Sequence, residues 1–239
     1  MNILVTGGTG GIGREIISQL IASEHSVVST YFKNQPYSQG ESGNLNWYRV
    51  DFSKLESIDN FLSSAPIFDA VIHCVGIADS NLLGNQSSET ILEVIVTNLV
   101  SSIIITNYYA HKMISQGFGR IILMGSIVGR DGNIGLSAYA ASKSGIQGLV
   151  DAATREIPVL KKKLNSDANF TINYIAPGFT VTNMTANIPL RIKDVLNSRS
   201  SINRFVEPSE IARLVEFLIH KDSEAICGAC MEINGGSFL

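Results

Sequence analysis

A chain of 239 residues, 45% of them hydrophobic, is long enough to bury one α/β core and needs no second domain. A net charge of −3 with mixed signs, and Lys161-Lys162-Lys163 as the only basic run, argue against nucleic acid as a main partner. No apolar stretch reads as a membrane span of ~20 residues, Met1 leads directly into a strand without a signal-peptide pattern, and three cysteines suggest no disulfide framework. No membrane partner and a cytoplasmic location are expected.

The chain opens on a buried-strand run, Asn2 to Thr6, followed by TGGTGGIG and an amphipathic pattern through Ile16, Ile17, Leu20 and Ile21. Strand, glycine turn and helix make a dinucleotide site, because the glycines let backbone N–H groups approach a pyrophosphate at the positive end of the helix. The glycine spacing is G-x-x-x-G-x-G, not G-x-G-x-x-G. Ser26 to Tyr31 reads as the second strand and Asn46 to Val50 as the third, with the Gly/Ser/Asn-rich stretch from Asn34 to Asn46 as a loop between them. Phe68 to Gly76 reads as the fourth strand, and His73 within it as a packed core histidine. From Ser87 to Gln116 runs the longest helical pattern, with Ile91, Leu92, Ile95, Leu99, Ile103 and Thr106 along one side. It carries Asn98. A buried Asn is costly without a partner, so its presence implies one, in a site or at a plain helix–helix contact.

The stretch from Gly119 to Gly148 holds the chemistry. Ile121, Ile122 and Leu123 form a buried strand, and a helical pattern starts near Ser137. Tyr139 and Lys143 are four apart and share a helix face, so an ammonium there would pull the Tyr pKa down from its usual ~10. Ser126, at the strand end, is placed to hydrogen-bond the oxygen that gains or loses a proton. Alone, such a pair is an ordinary helix face; the glycine turn upstream supplies the chemical context. Pro158 is expected to end or kink the helix, leaving Val159 to Asn169 as a solvent-exposed excursion. Phe170 to Ile175 reads as the sixth strand, Phe179 to Phe205 as a lid of short helices, and Met231 to Ile233 as the last strand. Pro208 opens a well-patterned helix with Glu207 and Glu210 at its positive end. Cys227 and Cys230 have C-x-x-C spacing but no second pair or nearby His, so no metal is expected.

The glycine turn together with Ser126, Tyr139 and Lys143 resembles the short-chain dehydrogenase/reductase family, whose motif is T-G-x-x-x-G-x-G, and the resemblance covers the whole chain. Asn98 in VTNLVSS, Pro177-Gly178 in NYIAPGFTVT and the closing EINGG fall in the family's order. Within the family, GSIVGRDGNIG, SNLL at 80–83 and RFVEPSEIARLVEFL at 204–218 look most like 3-oxoacyl-[acyl-carrier-protein] reductases. The resemblance implies one NAD(P)-binding Rossmann domain over 1–239, α/β, a three-layer doubly wound parallel sheet of seven strands ordered 3-2-1-4-5-6-7, with a substrate lid at about 179–206. It implies catalytic roles for Asn98, Ser126, Tyr139 and Lys143. The implied cofactor contacts are Gly7, Thr9, Gly11, Ile12, Gly13, Tyr31, Lys33, Asp51, Phe52, Gly76, Pro177, Gly178, Thr180 and Thr182, with Tyr139 and Lys143 shared between the two sets. Asp51 is implied to meet the adenine amino group, Thr182 the carboxamide, and Asn98 to hold a kink and a water linking the lysine to solvent. His73-Cys74-Val75 replace the family's Asn-Asn-Ala before Gly76, which questions how the central sheet is braced.

The implied activity is NADPH-dependent reduction of a ketone to a secondary alcohol, a 3-oxoacyl thioester on acyl carrier protein being the reading preferred. Alternatives are a dehydrogenase of another small alcohol, sugar or steroid, or a non-catalytic cofactor-binding sensor; the four catalytic residues at family spacing favour the enzyme. NADPH is expected because Tyr31 stands where an NAD-selective chain places an Asp, with Lys33 two residues on and Arg14 after the glycine turn, although Gly10 occupies the place of the family's stronger basic signal. Arg130 and Arg191 are candidates to meet an acidic carrier, and a homo-oligomer, tetramer or dimer, is expected.

Overall fold

The fold rests on seven strands: β1 (Asn2–Thr6), β2 (Ser26–Tyr31), β3 (Leu45–Arg49), β4 (Ala70–His73), β5 (Phe118–Met124), β6 (Asn169–Pro177) and β7 (Cys230–Ile233). The structure is a computed structural model and describes residues 1–36 and 44–237; most of the Asn34 to Asn46 stretch lies outside them. All strand pairs are parallel, in the order β3-β2-β1-β4-β5-β6-β7 that the resemblance implied. The inner strands read as near-continuous Val, Ile and Leu because helices cover both faces. One layer is α1 (Gly11–Ala22) with α9 (Pro208–Ile219), whose Ile16, Ile17, Ile211 and Val215 pack on Ile3, Val5 and Ile72. The other holds α2 (Leu55–Ser64), α3 (Ser88–Ile95), α4 (Ser101–Gln116) and α6 (Ser137–Lys163), which bring Phe61, Tyr109, Met113 and Val150 against Leu4, Val71 and Ile121. Each such side chain contributes about 1.5–3 kcal/mol when fully buried.

The strand order reverses between β1 and β4, and there the carboxyl ends of the strands diverge into a crevice. His73, at the end of β4, closes the base of it. Its Nδ1 lies 2.8 Å from Thr6 Oγ1 on β1 and its Nε2 2.9 Å from Ser101 Oγ on α4. A packed histidine therefore supplies the bracing that the missing Asn pair left in question.

Two expectations need correction. Pro158 does not end its helix: α6 runs on to Lys163 and is followed by a short turn, not a long excursion. Ile157 is buried and Leu160 and Leu164 pack on the core beside it, so tertiary contacts on both sides of the proline outweigh its ~3 kcal/mol cost. Second, Ser88–Gln116 forms one 29-residue helical run with a mean hydropathy of 1.6 in its most apolar window, long and apolar enough by composition to cross a membrane. Here it is a layer of the fold, with Ile105, Tyr109, Met113 and Ile114 buried.

After β6, α7 (Asn183–Ala186) and α8 (Leu190–Ser198) form the segment expected as a lid. Its two ends are tied together: Val181 N–H bonds Val206 O at 2.9 Å, Val206 N–H bonds Phe179 O at 2.8 Å, and the Phe179 and Phe205 rings stack 5.4 Å apart.

Candidate active site

Strand β5 delivers Ser126 to the crevice, and α6 sets Tyr139 and Lys143 beside it. The short helix α5 (Val128–Asp131) opens just after Ser126, whose Oγ accepts the Val128 N–H at 3.1 Å and whose hydroxyl is near enough to Tyr139 to influence its pKa. Lys143 is 3% exposed, and its Nζ donates to Met124 O at 2.8 Å and lies 5.7 Å from the Tyr139 ring centroid. A Cβ on Gly76 would fall 3.1 Å from that Nζ and 3.7 Å from Asn98 Oδ1, which places Gly76, Asn98 and Lys143 around one point.

Asn98 sits in a π-helical turn, Val96–Val100, between α3 and α4. Such turns occur frequently at functional sites. Side chains brace this one: Ser101 Oγ donates to Thr97 O at 2.5 Å and Ser102 Oγ to Asn98 O at 2.6 Å. The partner that a buried Asn demands is the strand end opposite. Asn98 Oδ1 accepts the Ile77 N–H at 2.9 Å, while Nδ2 donates to Ile77 O at 2.9 Å and to Ser142 Oγ at 3.0 Å.

Burial decides the charges. It raises the Tyr139 pKa, and the counteracting influence is the nearby Ser126 hydroxyl. The lysine was expected to pull that pKa down, but in this chain desolvation of the phenolate wins. Lys143 itself is lowered to about 8 by desolvation. Beside it, His73 is lowered to about 3 and Cys74 raised to about 12, both mainly by burial, so both are neutral neighbours of one ammonium.

The glycine turn lies at the other side of the crevice. Gly7 N–H donates to Thr30 Oγ1 at 3.0 Å, and Gly13 is pressed so close that a Cβ on it would meet Gly7 O at 2.5 Å. Gly11 is exposed and faces Thr182, whose Cγ2 a Cβ would approach to 2.7 Å, with Thr9 and Ile12 half-buried on either side. Thr182 caps α7, Pro177 and Gly178 turn the chain out of β6, and Thr180 Oγ1 donates to Gly178 O at 3.0 Å. Tyr31 is edge-on to Trp47 at 6.3 Å. Lys33 Nζ and Arg49 Cζ lie 5.9 and 5.6 Å from the Phe32 ring centroid, so a second cation joins Lys33. Asp51 Oδ1 accepts from Ser53 N–H at 3.0 Å and Ser53 Oγ at 2.6 Å, and Phe52 is buried edge-on to His73, which leaves its backbone as the group able to reach a ligand.

Sequence reasoning missed Arg49, which the β2–β3 register sets opposite Tyr31, and Tyr174, whose hydroxyl touches the Ser126 backbone. No local motif marks either. Arg130 was read as free to meet a carrier, yet it pairs with Asp131 at 2.6 Å and with Glu232.

The family described as short chain dehydrogenase matches residues 1–192. The mouse "(3R)-3-hydroxyacyl-CoA dehydrogenase" is 32% identical, covering 99% of this chain and 95% of that protein. The Aquifex aeolicus "3-oxoacyl-[acyl-carrier-protein] reductase FabG" is 30% identical over 98% of this chain and 96% of its own. A solved "short chain dehydrogenase/reductase family protein" superposes with a TM-score of 0.85 at 24% identity over 99% of this chain and 96% of that one, a likeness of fold. The glycine turn, the strand order and these matches agree: the chain belongs to the short-chain dehydrogenase/reductase family and is an NAD(P)H-dependent oxidoreductase acting on CH–OH and C=O groups.

Proposed function

We propose that this chain reduces a 3-oxoacyl thioester to the 3-hydroxyacyl product, using NADPH. The observation that carries the reading is the convergence of three side chains: Ser126 near enough to Tyr139 to lower its pKa, and Lys143 buried with its Nζ 5.7 Å from the Tyr139 ring centroid. The residues facing the crevice fit a dinucleotide: the buried glycine close to Gly7 O forms a cradle that a Cβ would fill, and Gly11 leaves a slot against Thr182. A nicotinamide held there would supply hydride to the carbonyl carbon. Tyr139, kept protonated by burial, gives its proton to the carbonyl oxygen as negative charge develops there. Ser126 hydrogen-bonds the same oxygen, and Lys143 places a positive charge next to the emerging phenolate. Asn98 holds residue 77 and Ser142 in place, and Ser142 Oγ donates to Tyr139 O at 2.7 Å, so the acid's helix is tied to the π turn.

Exposed apolar side chains favour a fatty or otherwise apolar acyl group. Leu82, Leu83 and Ile134 stand on adjoining loops joined by the Asn81 N–H to Gly135 O bond, and Met184 and Leu190 on the lid. A cavity of about 590 Å3 lies within the lid segment, lined by its own residues, among them Thr182, Lys193 and Phe205. The names of the relatives, one acting on a coenzyme A ester and one on acyl carrier protein, support the thioester and leave carrier choice to experiment. A cytoplasmic homo-oligomer is part of this proposal. The test is a panel of acetoacetyl and longer 3-oxoacyl thioesters on both carriers, followed by NADPH absorbance. Turnover of thioesters is expected; turnover of only a sugar or steroid ketone would overturn the substrate class.

A further inference from the structure

Tyr174 is a buried phenol that the proton-transfer scheme does not use. It stands in β6, opposite Leu123 on one side and Cys230 on the other, so its backbone is fixed by two neighbouring strands. Its hydroxyl reaches the place where strand β5 and helix α6 meet. Tyr174 OH accepts the Ser126 N–H at 3.0 Å, and its one proton lies between the Ser126 carbonyl at 3.2 Å and the Lys143 carbonyl at 3.3 Å. Room for the ring exists only because residue 125 is glycine: a Cβ there would lie 1.8 Å from Tyr174 Cζ. Burial pushes this phenol up to about 12, so it stays a neutral donor where the enzyme works.

We infer that Tyr174 is a positioning residue for the proton transfer: through the Ser126 peptide groups and the Lys143 carbonyl, its hydroxyl fixes the strand end that carries Ser126 against the helix that carries Tyr139 and Lys143. The inference rests on the catalytic assignment of those three residues. A ring that merely fills the core would do so without its oxygen. The hydroxyl, by contrast, touches both halves of the catalytic set, the Ser126 peptide groups and the Lys143 carbonyl, and misplacement of reacting groups by about 1 Å costs as much as a hundredfold in rate.

Tyr174→Phe keeps the ring and removes the oxygen. Expected is a fall in kcat of about tenfold to a hundredfold, with KM for the 3-oxoacyl thioester and NADPH affinity by fluorescence titration within about twofold. Gly125→Ala drives a methyl into the ring and should lower kcat likewise. Combined with Tyr174→Val, which clears the ring, it should add no further loss, since the two positions act as a unit. A Tyr174→Phe enzyme with native kcat, a loss confined to thermal stability, or additive losses in the double variant would overturn the inference. Activity retained by Tyr139→Phe would instead overturn the assignment beneath it.

Discussion

Buried titratable side chains set how single residues respond to pH. His73, held near 3 in the fold against 6.5 for a free imidazole, is neutral between Thr6 and Ser101, with the Lys143 charge adding to the cost of protonating it. The unfolded chain takes up that proton between pH 6.5 and 3 and the fold does not, so stability is full above 6.5 and falls by a few kcal/mol, about 1.4 per pH unit, as pH drops. Urea titrations from pH 7 to 4 should show this slope, flattened in His73→Asn; an equal slope in both would assign it to other groups. Lys143 titrates near 8 in the free enzyme and Tyr139 well above, so kcat/KM for ketone reduction should decline above pH 8, approaching tenfold per unit, as the ammonium is lost. A flat profile to pH 9.5 would count against the lysine's role. At the second strand's end, Tyr31→Asp should lower the NADPH to NADH ratio of kcat/KM at least tenfold, because a carboxylate repels a 2′-phosphate that Lys33 and Arg49 attract. An unmoved ratio would remove that strand end from cofactor choice. Tyr31 and Lys33 were legible in the sequence because they are neighbours in it. Arg49 was not, since only strand pairing brings it there.

Among elements, helix α6 shows where local rules stop. Proline was correctly located, but its consequence was decided by Ile157, Leu160 and Leu164, whose packing no window of sequence displays. At Pro158 the helix lacks one i→i−4 donor, and Pro158→Ala, which restores an N–H, should stabilise the chain by about 1–3 kcal/mol in urea unfolding. A destabilised variant would mean that the proline mainly restrains the unfolded chain. Of the π turn, family likeness implied a kink at Asn98 but neither its form nor the hydrogen bonds that brace it. Asn98 was legible as an Asn that needs a partner, whereas the partner itself, the Ile77 peptide, comes from a distant strand end. That leaves both Ile77 groups orphaned in Asn98→Ala, for a loss of about 2–4 kcal/mol together with reduced kcat.

For the molecule as a whole, the alternation of strand and helix was legible and the strand order came through family likeness, since each parallel pair joins segments far apart in sequence. The outward face of the long helical run keeps Leu92 and Ile103 exposed, the face that an assembly of copies would cover. Light scattering at micromolar concentration should report a tetramer or dimer, with Leu92→Lys and Ile103→Lys together shifting the mass toward one chain; a monomeric native protein would sink the expectation. The tied ends of the segment from Phe179 to Phe205 carry a different consequence. Because the Phe179–Phe205 stack and the 180–206 bridge close the loop at its base, whatever lies between them is a cassette. Its length and composition can drift at little cost in chain entropy, while the sheet beneath keeps its register. If that segment covers the substrate as proposed, lineages that inherit this arrangement can explore new substrates by rewriting some two dozen residues without reopening the problem of folding.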